Sequence, residues 1–215
     1  MTHFIPVFPL KIVVFPGEKL HLHIFEPRYR QLIQECHERK IPFGIPFIKE
    51  NAPTELGTLV ELKEISKVYE DGKMDIKTEG QSVFRVLEYV KEIPDKLYSG
   101  AIVSPQPNFN NGTKSMMMRI LENIQTLHRE LSIQKNFGKP DDELLSFDVA
   151  HHIGLSLDDE YQLLGYENEL HRQEFIKRHL QHLLSVMNEM NALKEKVRLN
   201  GHFKDLSGFD FSTKE

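Results

Sequence analysis

The apolar residues of this chain change period once, and the change falls on a single stretch. Ser104 to Thr113, SPQPNFNNGT, holds two prolines, three asparagines and a glycine, the composition of a connecting segment. Before it, apolar and polar residues alternate as in half-buried strands; after it, apolar residues recur at spacings of three and four, as on one face of a helix. Such a chain can be neither one helical bundle nor one sheet. The sequence predicts an α+β protein: a β part over residues 1–105, a linker over 106–113, a helical part over 114–200 and a tail over 201–215.

Within the β part, Ile12 to Phe15 is an apolar run ended by the turn-forming pair Pro16-Gly17. Leu20, Leu22 and Ile24 alternate with His21 and His23, which predicts a strand. Glu26-Pro27 then changes the period. Proline suits the first helical position, where its missing N–H would be unpaired anyway, and Tyr29, Leu32, Ile33 and Cys36 follow at helical spacing. The local plan is strand, turn, strand and a helix of about ten residues. Further strands are expected at Ile45–Ile48 (interrupted by Pro46), Leu59–Ile65, Val83–Leu87 and Tyr98–Val103. Asp71-Gly72 between two alternating runs predicts a hairpin with positive φ at both central residues.

The segment FPLKIVVFPGEKLHLHIFEPRYR, residues 8–30, resembles the opening of the substrate-recognition domain at the N-terminus of Lon proteases. Pro42-Phe43-Gly44, the run from Gly80-Gln81 to Leu87 and LSLDDEYQLL (155–164) are similar to later parts of that family. Val83 stands where the family usually carries an arginine. The resemblance implies an antiparallel β pseudo-barrel with one short helix, followed by a helical bundle with a long final helix. It also implies a protein-binding module: nothing in these residues resembles Lon's ATPase or protease domains. His23, Glu26, Arg28 and Tyr29 match the family pattern as a group and are expected to form a polar network fixing the strand-to-helix junction.

In the helical part, Met117, Ile120, Leu121, Ile124, Leu127 and Leu131 line one helix, which Gly138-Lys139-Pro140 ends. Phe147 to Ile153 predicts a short second helix, and Ser156, followed by acidic residues, is a natural N-cap for a third. Three-and-four spacing then runs from Leu170 to Val197, a helix of roughly 45 Å at 1.5 Å per residue. Asn200-Gly201 is its expected end. So long a helix cannot be covered throughout by a small bundle. Its far end is expected to meet the β part, meet a second copy, or project into solvent.

Composition excludes several functions. Residues 1–105 hold 14 Lys/Arg against 15 Asp/Glu and the remainder 13 against 17, so neither half has the clustered cations that phosphate neutralisation requires. Nucleic acid is not an expected partner. No apolar stretch reaches the roughly twenty residues of a membrane span, and the first residues lack the pattern of a signal peptide, so a cytoplasmic protein is expected. One cysteine, Cys36, permits no internal disulfide and no cysteine-rich zinc site. Gly72-Lys73 and Gly138-Lys139, the two G-K pairs, lack the upstream glycine and downstream hydroxyl of a phosphate loop. Neither G-x-S-x-G nor H-E-x-x-H occurs. His21/His23 and His179/His182 are each an incomplete ligand pair without a third partner. No catalytic residue, metal or cofactor is expected.

A binding function needs exposed apolar surface or an open strand edge. The residues singled out for contact with protein clients or a partner protease are Phe8, Phe15 and Phe43 near the turns, with Met116, Met117 and Met118 beside the linker, since flexible methionines suit adaptable surfaces. The expected place is a groove between barrel and helices. Self-association through the long helix is the alternative, with RNA binding through the barrel further behind. Phe203, Leu206, Phe209 and Phe211 punctuate the polar tail and suggest that it docks.

Overall fold

A computed structural model describes residues 2–205, with side chains as far as Leu199. Leu206, Phe209, Phe211 and the side chain of Phe203 lie outside the described residues. Six strands and a helix come first: β1 (His3–Pro6), β2 (Lys19–Ile24), α1 (Pro27–Arg39), β3 (Phe43–Lys49), β4 (Ala52–Val68), β5 (Met74–Val90) and β6 (Gly100–Pro105). The helices α2 (Lys114–Glu130), α3 (Ser146–Val149), α4 (Leu157–Leu164) and α5 (Glu169–Asp205) follow. No helix among the described residues is long and apolar enough to cross a membrane.

The sheet is antiparallel in the order β1-β6-β5-β4-β3, and β5 uses its first part for β2 and its second for β6. The chain between β1 and β2 closes it. Val7 and Leu10 bridge in parallel to Gly44 and Phe47 of β3, through bonds from Phe8 N to the Gly44 carbonyl (2.8 Å) and from Ile48 N to the Leu10 carbonyl (2.7 Å). Every strand of this pseudo-barrel except β2 therefore lies on a closed path. The interior is narrow, and Phe84 fills it: a Cβ on Gly44 or Gly57 would lie 2.8 or 2.6 Å from its ring. Glycine is required at both positions for that close approach.

Several elements differ from the sequence reading. Ile12 to Phe15 forms no strand; Val13, Val14 and Phe15 are buried in irregular backbone, and the first strand lies earlier, at His3–Pro6. Apolar continuity alone does not separate a strand from a buried loop. At the β4–β5 turn, positive φ occurs at Gly72 (79°) and not at Asp71. Gly72 N donates to the Tyr69 carbonyl and Tyr69 N to the Lys73 carbonyl, the three-residue hairpin in which a tight turn is followed by one left-handed residue. α5 passes through Asn200-Gly201 and continues to Asp205, because a glycine weakens a helix without ending it. Ser156 caps α4 as expected, its hydroxyl accepting from Asp159 N while the Asp159 carboxylate accepts from Ser156 N.

Three cores result. One joins α1 to the barrel through Leu32, Ile33, Cys36 and Phe43; a small one around Phe84 fills the barrel; the largest joins barrel to helices. In that junction Phe15, Phe47, Leu56 and Val83 meet Ile120, Ile124, Leu163 and Ile176. The 106–113 segment is tied to the helices, Phe109 bridging to Asn168 and Thr113 N donating to Gln173 Oε1 (3.0 Å).

Candidate recognition groove at the barrel rim

The residues singled out for binding go mostly to the interior. Phe15 is fully buried, its ring stacked 5.1 Å from Phe147 and tilted 4.9 Å from the His151 ring. Phe8 rests 4.0 Å from the Tyr29 ring and 6.4 Å from that of Phe43, and both phenylalanines are buried beneath α1. Met117 is buried in the junction core and Met116 half-buried against it, while Met118 is exposed. The space between barrel and helices is thus filled. Apolar residues beside the FPG turn are drawn there because two apolar faces need each other's cover.

Polar bonds lock the same junction. His151 Nδ1 lies 2.7 Å from Glu160 and its Nε2 3.1 Å from Glu18, which also accepts from Phe15 N (2.9 Å). Burial alone would lower the imidazole's pKa, but the two carboxylates outweigh it and hold His151 up at about 9. The Thr58 hydroxyl donates to the Val14 carbonyl, and Leu56 N to the Tyr161 hydroxyl (3.2 Å). Deeper in the helical part lies a buried ion pair. Arg172 Nε donates to Glu169 (2.8 Å) and its other nitrogens to the Tyr166 carbonyl and Asn108, while its guanidinium lies 4.4 Å over Phe147. Glu169 also accepts from Ser146 N and Oγ. Every one of these groups has a partner, the condition for burying them.

The expected network divides in two. Arg28 pairs with Glu26 (2.6 Å) and sits 4.7 Å over Tyr29, at the start of α1. His23 instead meets Asp75 (2.6 Å), which accepts from the Tyr69 hydroxyl (2.7 Å). Asp75 is held below the usual carboxylate range, first by the His23 bond and then by Tyr69. No group of three or more metal-ligating side chains is gathered among the described residues.

An open apolar trough lies elsewhere, at the barrel rim. Two adjoining cavities of about 580 and 300 Å³ share Ile41, Pro42 and Leu59. The first runs between the end of α1 and β4, past Cys36, Lys40 and Leu62; the second continues over Ser82 and Phe84 to Phe4 of β1. Ile41 is 37% and Phe4 53% exposed. The second cavity has no Asp, Glu, Lys or Arg in its lining. In the first, Lys63 is neutralised by Glu61 (2.7 Å) and Glu79 (3.1 Å), leaving His37 and Lys40 at the α1 end. Burial pushes the Cys36 thiol up to about 12, so it stays protonated and is no nucleophile at neutral pH.

The trough also meets free backbone. Pairing of β3 with β4 ends at Phe43–Val60, so among the described residues Glu61–Val68 is bonded on the β5 side alone. Irregularities between Leu62 and Glu64 and between Ile65 and Lys67, with Lys63 and Lys67, protect most of this flank from indiscriminate pairing. Its first residues line the trough.

Residues 5–182 match the family model of the ATP-dependent protease La (LON) substrate-binding domain. The chain belongs to that family. Solved Lon-type domains have the same fold. A Lon N-terminal domain protein from Xanthomonas campestris is 23% identical, with a TM-score of 0.58 over 85% of this chain and 98% of its own. The N-terminal domain of a Mycobacterium avium complex Lon protease is 12% identical, with a TM-score of 0.62 over 83% of this chain and 98% of its own. No ATPase or protease domain of Lon is detected in these residues.

Within this Lon-type domain, sequence reasoning missed the rim trough and the Glu169–Arg172 pair. Ile41, Leu59 and Phe4 look like any core apolar residue, and they come together only where the end of α1, β4 and β1 meet at the rim. Glu169 and Arg172 sit three apart like a surface pair; the local clue was the apolar Phe175 and Ile176 that follow at helical spacing.

Proposed function

We propose that this Lon-type domain is a non-catalytic recognition module that acts in the cytoplasm on protein clients or a partner protease. Its rim trough holds extended apolar segments. The observation that carries this reading is the solvent-open apolar floor of Ile41, Pro42, Leu59 and Phe4, uncharged at the β1 end and continuous with the unpaired flank of β4. A bound segment places an apolar side chain over Leu59 and Phe84 and extends its backbone along Glu61–Lys63, so pockets and main-chain bonds act together. Membership of a substrate-binding family supports a protein ligand.

The test is fluorescence anisotropy with a labelled, chemically unfolded and alkylated protein as probe. Phe4→Asp and Ile41→Asp lie on exposed positions, so both variants should keep the wild-type circular dichroism. Each is expected to weaken probe binding about tenfold or more, the cost of bringing a carboxylate to an apolar contact. Unchanged affinity in both folded variants would place recognition elsewhere.

A further inference from the structure

α5 carries a second apolar stripe that the described residues of its own domain leave largely exposed. Ile176, Leu180, Leu184 and Met187 face the junction core or α2. Val186, Met190, Leu193 and Val197 are spaced by four, three and four, and lie roughly a quarter turn from that face at 100° per residue. Met190, Leu193 and Val197 are each more than half exposed. α2 runs beside α5 from Thr113–Gln173 to Glu130–Asn191, where it ends. From there α5 continues to Asp205, about 20 Å further. The stripe thus starts within the domain and runs out along a helix that has no neighbour among the described residues.

The charges beside the stripe fit a second copy of the same helix. With Met190 and Val197 in one seam position and Val186 and Leu193 in the other, Glu189 and Lys196 fall on one flank and Lys194 on the opposite flank. None of the three makes an ion pair among the described residues. In an antiparallel pair with Val186 against Val197 and Met190 against Leu193, each Glu189 meets the partner's Lys196 twice over by symmetry. A parallel pair would bring the two bodies side by side. His179 Nε2 bonds the Ile153 carbonyl (2.9 Å), so the 150–154 segment covers the stripe side of α5 near the domain body. Two bodies brought side by side would meet there first.

We propose that two copies of this chain associate through the distal part of α5, antiparallel, along Val186, Met190, Leu193 and Val197. This is independent of the rim trough and goes beyond the recognition reading. The closed two-fold arrangement buries the stripe of both copies and leaves the two troughs on separate bodies.

Sedimentation equilibrium of the full chain over micromolar to sub-millimolar concentrations tests this, with circular dichroism as the folding control. The wild type should reach twice the monomer mass. A Met190→Asp/Leu193→Asp variant should remain monomeric with unchanged helicity. Glu189→Lys should raise the dissociation constant about tenfold, and adding Lys196→Glu should restore it. Rescue by Lys194→Glu instead would mean parallel helices and overturn the geometry. A wild type monomeric throughout would overturn the proposal, whether the stripe is solvated or covered by residues 201–215 of its own chain.

Discussion

Two apolar surfaces of the barrel have opposite fates. The one around the FPG turn is covered by α2, α4 and α5, with Phe15 stacked on Phe147 and the turn clamped by Glu18, His151 and Glu160. The one at the rim, from Lys40 past Leu59 to Phe4, has no cover among the described residues beyond the end of α1. Both are lined by ordinary aliphatic and aromatic residues. What separates them is topology: the helices that follow residue 113 pack on the junction, and none of their described residues lines the rim. Apolar content near a turn therefore says little about binding until the partner faces are counted.

The comparison can be broken most forcefully at the junction. Phe15→Ala removes a fully buried ring and leaves a cavity, and should cost about 3–5 kcal/mol in urea unfolding. Arg172→Ala leaves Glu169 charged and buried without its partner, a loss of about 3–5 kcal/mol by the same measurement. If either variant unfolded like the wild type, the junction would not be the filled core described here.

The clamp sharpens the contrast through pH. His151 is raised in the folded state to about 9, from an unfolded value near 6.5. Its stabilisation is therefore fully present below about pH 6.5 and is lost as pH rises through about 9. Because the side chain is partly exposed, a loss of about 1 kcal/mol is expected over that window. His151→Gln should flatten this part of the stability profile, and an unaltered slope would show that the histidine is not charged in the fold.

Much of the architecture was legible in the sequence, and its limits were physical. The change of period at Ser104–Thr113 divided strands from helices, Ser156 marked the start of α4, and Asp71-Gly72 marked the β4–β5 turn. Closure of the barrel was invisible, since the bonds of Val7–Leu10 to β3 are backbone contacts between segments some 37 residues apart in sequence. Periodicity identified Phe8, Phe15, Phe43 and Met117 as apolar, but only three-dimensional neighbours place them inside. Conversely, the trough residues carry no local mark of exposure, because they are brought together from segments as far apart in sequence as Phe4, Ile41, Leu59 and Ser82.

At the rim the expected effects on stability are the smallest. Phe4→Asp and Ile41→Asp should change the unfolding free energy by no more than about 0.5–1 kcal/mol, as at other exposed positions. Removing binding without removing stability is the signature of the open surface, as the reverse is of the closed one.

The most direct measurement is an NMR titration of the full chain, following backbone amides as an extended apolar peptide is added. Recognition at the rim predicts shifts concentrated at Phe4, Ile41, Leu59, Glu61 and Ser82, with the amides around Phe15 and Phe147 unmoved. Shifts concentrated instead around Met118 and the start of α2, or on no part of the barrel, would contradict it.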